Sequence, residues 1–178
     1  MLAFGVLLAA TGCGSAPRAE KDLAWEGRVP QRVLVLPFEN RSQSPGLALG
    51  PLMTDLFVSQ LRHLSLTLLE PAHMMAAYDK AGRPVPAKFD DRALNDIADV
   101  TGCEAVIRGK ITQYTSGRTF HDDRIGFEVR VLDARTGEAL FTTAFVASGK
   151  DVDPSIRGID QLTLFGVRQV TERIARAR

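Results

Sequence analysis

Few residues in this chain are of types that do chemistry. It has two cysteines, Cys13 and Cys103, and three histidines, His63, His73 and His121. The nearest thing to a metal site is His121-Asp122-Asp123, since imidazole with carboxylates suits a divalent cation. Adjacent residues on a turn rarely converge on one ion, and neither His63 nor His73 has a ligand partner four residues on. The cluster reads more simply as a polar hairpin turn. Asp90-Asp91 has the placing of a helix cap, with Asp91 at the cap position, rather than of an acid/base pair. Cys103 stands between a helix-ending glycine and an apolar strand, with no histidine near it in sequence, as a small buried thiol does. Gly-x-Ser-x-Gly, P-loop and dinucleotide fingerprints are missing, and Gly46 and Gly50 read as a turn and a helix start. The expectation is therefore no catalytic residue, no metal and no cofactor. A small enzyme or metal-binding protein using the carboxylates and His121 is the third of three readings.

Cys13 is different because of what precedes it. Met1 to Gly12 is uncharged and rich in Leu and Ala. As a helix it reaches about 18 Å, short of the roughly 30 Å hydrocarbon core. That length suits the apolar region of a signal peptide. Ala10-Thr11-Gly12-Cys13 resembles the lipobox of bacterial lipoprotein precursors. The resemblance implies a diacylglyceryl thioether on Cys13, cleavage just before it, and removal of residues 1–12. It also implies an outer-membrane address, because Gly14 stands where an inner-membrane lipoprotein often carries Asp. Lipid chains at about 0.8 kcal/mol per buried CH₂ anchor a protein when at least two are present. Cys103 would then be the remaining free thiol. A buried N-terminal helix is the alternative, but Gly12, Gly14, Ser15 and Pro17 end the run abruptly.

Composition bounds the rest. The 178 residues are 45% hydrophobic and 24% charged, and 22 Lys and Arg meet 21 Asp and Glu. A net charge of +1 gives no field that would draw the chain to nucleic acid. Gly14 to Gln31 is polar and lacks apolar periodicity, so residues 13–31 read as a tether in which Trp25 is the one docking residue. As a coil this spans about 25 Å, with an extended limit near about 60 Å.

The domain follows over residues 32–178. Arg32 to Pro37 is a continuous apolar run, the pattern of a strand covered on both faces. Glu39 to Gly46 is turn-rich. The spacing of Leu49, Leu52, Met53, Leu56, Phe57, Gln60 and Leu61 predicts a helix. A strand over 64–69, a short helix from Pro71 through Tyr78 and a helix from Asp91 through Asp99 come next. Three strands in series, 104–115, 124–133 and 138–148, precede a helix over 156–176. Ile125, Phe127, Val129 and Val131 alternate with Glu128 and Arg130, and Ala134 to Gly137 forms a hairpin turn. The order β-α-β-α-α-β-β-β-α predicts an α/β (α+β) body with a mixed sheet of about five strands and helices packed on it.

Three segments carry a further resemblance. Val33-Leu-Val-Leu-Pro-Phe-Glu-Asn-Arg-Ser42, Gly102-Cys-Glu-Ala-Val-Ile-Arg-Gly-Lys-Ile-Thr-Gln-Tyr114 and Leu132-Asp-Ala-Arg-Thr-Gly-Glu-Ala-Leu140 resemble, in order and spacing, segments of CsgG-, PelC- and LpoB-like envelope lipoproteins with the TolB N-terminal-like fold. The resemblance implies a non-catalytic outer-membrane lipoprotein with envelope protein partners, often ring-forming. Its members include a curli secretion pore, a polysaccharide-export lipoprotein and a peptidoglycan-synthase activator. The chain has no spare alternating segments for the pore's membrane hairpins, and its tether is too short for the activator's long reach. That favours the export type, with synthase activation as the second reading. Partner contacts are expected at Glu39, Asn40, Arg41 and Ser42, and at His121 and Asp122 on a hairpin tip. Arg41, Ser42 and Gln43 also lie beyond the carboxyl end of the first strand, where open sheets bind small ligands. Arg168, Arg173, Arg176 and Arg178 make the last helix basic, a face for lipid headgroups or a partner.

Overall fold

The computed structural model describes residues 30–44, 48–117, 123–152 and 155–177. Its elements are β1 (Arg32–Val35), β2 (Glu39–Asn40), α1 (Leu49–Leu61), β3 (Thr67–Leu69), α2 (Pro71–Lys80), α3 (Asp91–Thr101), β4 (Ala105–Thr115), β5 (Arg124–Asp133), β6 (Ala139–Ser148) and α4 (Ile159–Ala177). They form one mixed sheet in the order β3-β1-β4-β5-β6, with β2 also paired to β4. β1 is parallel to both β3 and β4, whereas β4, β5 and β6 form an antiparallel meander. The α+β class and the mixed sheet agree with the sequence reading.

After the exposed Arg32, β1 is apolar because both of its faces are covered. Val33 and Val35 point into a large core with α1 and α4. Leu34 and Leu36 point the other way, to Met74 and Tyr78 of α2 and Leu94 and Ile97 of α3. On the first face five phenylalanine rings form a chain from α1 to α4. Phe38 stacks on Phe57 at 4.7 Å, Phe57 meets Phe127 edge-on at 5.7 Å, and Phe145 continues to Phe165 at 6.1 Å. On the second face Tyr78 donates to Asp96 at 2.6 Å and ties α2 to α3.

Several boundaries differ from the expected ones, each for a local reason. Asp90, not Asp91, caps α3, its carboxylate accepting from the Ala93 amide at 3.2 Å. The helix ends at Gly102 in the left-handed conformation, φ 68°, with the Arg32 guanidinium on the Thr101 carbonyl. The strand expected over 64–69 is only Thr67–Leu69, and α4 starts at Ile159, after Gly158 turns the chain at φ 81°. Leu52, expected to face inward, is 42% exposed. The inner stripe runs through Thr54 and Val58 instead, because the Thr54 hydroxyl has a buried partner. In α4 the inward positions include Gly166 and Val167, while Phe165 is half-buried.

The Glu39–Asn40 pair was expected in a loop, yet it forms β2, opposite Lys110 and Ile111. Pro37 has no amide hydrogen, so pairing between β1 and β4 stops after the Leu36 amide reaches the Ile107 carbonyl at 3.0 Å. The chain then steps over Gly109 and pairs again. Phe38 fills the step. Its ring lies where a side chain at Gly109 would stand, 2.0 Å from an ideal Cβ.

The β5–β6 turn has a carboxylate at its centre. Asp133 Oδ1 accepts from the amides of Arg135 and Thr136, both at 2.8 Å. Gly137 adopts φ 74°, as expected. Burial pushes the Asp133 carboxyl up, but the hydrogen bonds from Thr136 and Arg135 outweigh it and hold the group below the usual carboxylate range.

Two outcomes are expected. Gly109→Ala should lower unfolding stability in urea by about 1–3 kcal/mol, since the added methyl displaces a packed ring. Phe38→Leu placed in the same chain should recover part of that loss, whereas strictly additive losses would show that the two groups do not share the space. Asp133→Ala should cost about 1 kcal/mol near pH 7. A carboxyl whose pKa is lower folded than unfolded stabilises above the unfolded value, about 4, and ceases to do so as pH falls through the folded value. The Tm difference between wild type and Asp133→Ala should therefore narrow on acidification, and a pH-independent difference would contradict the assignment.

Candidate interaction surface

The turn after β2 is built by its own side chains. Asn40 Oδ1 accepts from the amide of Ser42 at 3.0 Å and from its hydroxyl at 2.7 Å, and Asn40 Nδ2 donates to the Ser44 carbonyl at 3.1 Å. Ser44 then donates to the Tyr114 carbonyl at 3.1 Å, fastening the turn to β4. Arg41 uses its amide on the Ile111 carbonyl at 2.8 Å. Asn40 and Ser42 are thus spent on the shape of the turn. Glu39 and Arg41 remain outward and pair with each other at 3.0 Å, both substantially exposed. Such an exposed pair adds little stability. Beside this turn a hollow of about 370 Å³ is lined by Gln43 and by Thr112 to Thr115 of β4.

Of the other sequence-expected residues, Cys13, His121 and Asp122 lie outside the described residues. Asp123 is buried, and its carboxylate accepts from the Gly117 amide at 2.8 Å. Among the described residues no group of three His, Cys, Asp or Glu side chains is placed to hold a metal ion. Cys103 is buried, and burial pushes its thiol up, against a hydrogen bond from Thr101 and the nearby Arg32. It is therefore a poor nucleophile. On α2 Met74 is buried and Met75 is 60% exposed, so only Met75 is available to a partner.

Among the described residues, helices cover the second face of the sheet over β3, β1, the start of β4 and the Leu132 end of β5. Beyond them β4 and β5 carry charged side chains on this face. Arg108 lies opposite Arg130, and Lys110 opposite Glu128. Like charges directly across an antiparallel pair repel. Here each arginine has its own carboxylate: Arg108 meets Asp91 of α3 at 2.9 Å, and Arg130 meets Glu128. These residues and Glu39 line a shallow cleft of about 180 Å³ that joins the Glu39–Ser44 turn to the N-terminus of α3. Its lining mixes both signs of charge. The alternation of β5 pointed to Glu128 and Arg130 as outward residues. Arg108, Lys110 and Asp91 escaped the sequence reading, because their convergence depends on how far α3 extends across β4.

Of the arginines expected to make the last helix basic, Arg168 is exposed, Arg178 lies outside the described residues, and the other two are used locally. Arg173 donates to Thr143 Oγ1 at 3.2 Å and to the Ala144 carbonyl at 3.4 Å, and Arg176 pairs with Glu172 at 3.2 Å. No helix among the described residues is long and apolar enough to cross a membrane.

No protein-family model and no curated protein matches the chain. Solved structures do match in shape. A PelC dodecamer from Paraburkholderia phytofirmans superposes with TM-score 0.60 at 14% identity, over 89% of this chain and 96% of that one. Lipoprotein GNA1162 from Neisseria meningitidis gives 0.55 at 18% identity, over 83% and 99%. The LpoB C-terminal domain from Escherichia coli gives 0.53 at 16% identity, over 69% and 87%. With its sheet order, its helix placement and these superpositions, the chain has the PelC- and LpoB-like fold.

Proposed function

We propose that this chain is a non-catalytic accessory protein of the Gram-negative envelope. A lipid on Cys13 holds it at the periplasmic face of the outer membrane, where it binds protein partners during export of a polymer. The observation that carries the reading is one coincidence. A lipobox-like Ala10-Thr11-Gly12-Cys13 stands before a body whose fold matches 96% of a PelC chain. The described surface supports binding over chemistry: the two arginines of its charged cleft are held by carboxylates, and its thiol is buried. A tether of residues 13–31 keeps the body within about 60 Å of its anchor. The anchor test is metabolic labelling with palmitate. Wild-type protein should take up label and fractionate with the outer membrane, and Cys13→Ser should lose both. Unlabelled wild-type protein in the soluble cytosolic fraction would overturn the reading.

The oligomer is the second element of the proposal. The PelC structures are dodecamers, and this chain shares their fold. Light scattering on the purified full chain in detergent should give a ring-sized mass, and a strict monomer at high concentration would remove the ring. The LpoB likeness, over 69% of this chain, supports activation of a peptidoglycan synthase as the second reading. Co-purification with such a synthase would move the assignment there.

A further inference from the structure

Strand β6 ends the sheet, and no described element pairs beyond it. Free strand edges recruit other chains, so proteins blunt them with lysine, proline, bulges or short length. β6 has almost none of these. It is ten residues long, Ala-Leu-Phe-Thr-Thr-Ala-Phe-Val-Ala-Ser, with no charge and no proline. Its single irregularity lies at the Ala139 end, opposite Val131 and Leu132.

The register shows which backbone groups face out. The Gly149 amide donates to the Asp123 carbonyl at 3.0 Å, so pairs of this parity exchange bonds with β5: Ala147 with Ile125, Phe145 with Phe127, Thr143 with Val129. The amides and carbonyls of Thr142, Ala144, Val146 and Ser148 therefore point away from the sheet. Three of these groups are covered from elsewhere. Asp151 accepts from the Ser148 amide at 2.9 Å and donates its own amide to the Ser148 carbonyl at 2.9 Å. Arg173 of α4 reaches the Ala144 carbonyl at 3.4 Å, a long bond that a better donor replaces. Val146, whose side chain is 55% exposed, lies between them and Thr142 beyond.

Charge decides what fits. In a second copy laid antiparallel on this edge, with Thr142 opposite Val146, Ala144 falls on the two-fold axis. The two Arg173 guanidiniums then face each other, and like charges resist the contact. The other charged groups around this end of the edge are Arg124, opposite Ser148, with Lys150 and Asp151 in the following turn. On α4 Glu172 is paired with Arg176 and lines a hollow shared with Gln60 of α1 and His63 just beyond that helix. The edge is net positive. We propose that β6 accepts an extended acidic segment of a partner protein as an added strand. Its amide takes the Ala144 carbonyl from Arg173, and its carboxylate receives the released guanidinium. This rests on the reading of the chain as a binding body, and is independent of the anchor and the ring.

The probe is acetyl-Thr-Val-Thr-Glu-Thr-Val-Thr-amide, with a lysine version as its counterpart, titrated into the full chain in detergent. The glutamate peptide should bind and slow amide exchange across residues 142–146. Arg173→Glu should weaken it at least about tenfold, the size of one charge contact, and should admit the lysine peptide. Val146→Pro removes an outward amide that β5 does not use, so it should abolish binding with an unchanged melting temperature, and it carries the test if Arg173→Glu does not fold. Three results overturn the proposal: no binding of the glutamate peptide at millimolar concentration, equal binding of both peptides by wild type, or concentration-dependent protection of β6 without peptide, which would assign the edge to a second copy. Any of these leaves the palmitate and light-scattering outcomes untouched.

Discussion

The seating of Phe38 is the contact on which the rest of the structure depends. Its amide donates to the Thr54 hydroxyl at 3.0 Å, and that hydroxyl donates in turn to the Gly50 carbonyl at 2.8 Å. Its own carbonyl lies 2.5 Å from where a Cβ at Gly50 would be, so α1 approaches the chain as closely as backbone allows. Its ring occupies the space above Gly109 and stacks on Phe57. One residue thus fixes the height of α1, the break between β1 and β2, and the position of the Asn40 turn. Glycines at 50 and 109 are the complement of that residue, because any side chain there would occupy its place.

How much of this could be read beforehand depended on periodicity. The three meander strands and the two-faced β1 were legible because alternation and continuous apolar runs report burial directly. The Gly137 turn and the Gly102 helix end were legible for the same kind of reason: each needs a positive φ that glycine supplies. β2 was not, since Glu39 and Asn40 are polar and only two residues long, and their pairing is dictated by the step at Phe38. Leu52 misled because its spacing fits an apolar stripe, whereas the true stripe is rotated to admit a threonine. The charged cleft on the sheet was half visible: period two gave Glu128 and Arg130, and tertiary packing supplied Asp91 and Arg108.

The fold divides its sheet between two tasks. The half carrying β1 and β3 is wrapped by helices on both faces and holds most of the second core. Among the described residues, the half carrying β5 and β6 is packed mainly on one face, and no strand lies beyond its last edge. A surface of this kind presents backbone and shape, with few side chains committed in advance, and so leaves little for a sequence motif to mark.

The position of β1 in the sheet has a mechanical meaning. Residue 30 leads directly into β1, which lies inside the sheet, parallel to β3 on one side and β4 on the other. Tension applied through the N-terminal end pulls β1 along its own axis, so its bonds to both neighbours are loaded together, in shear, and cannot be peeled one at a time. The N-terminal end thus enters the body on a strand flanked on both sides, not on an edge.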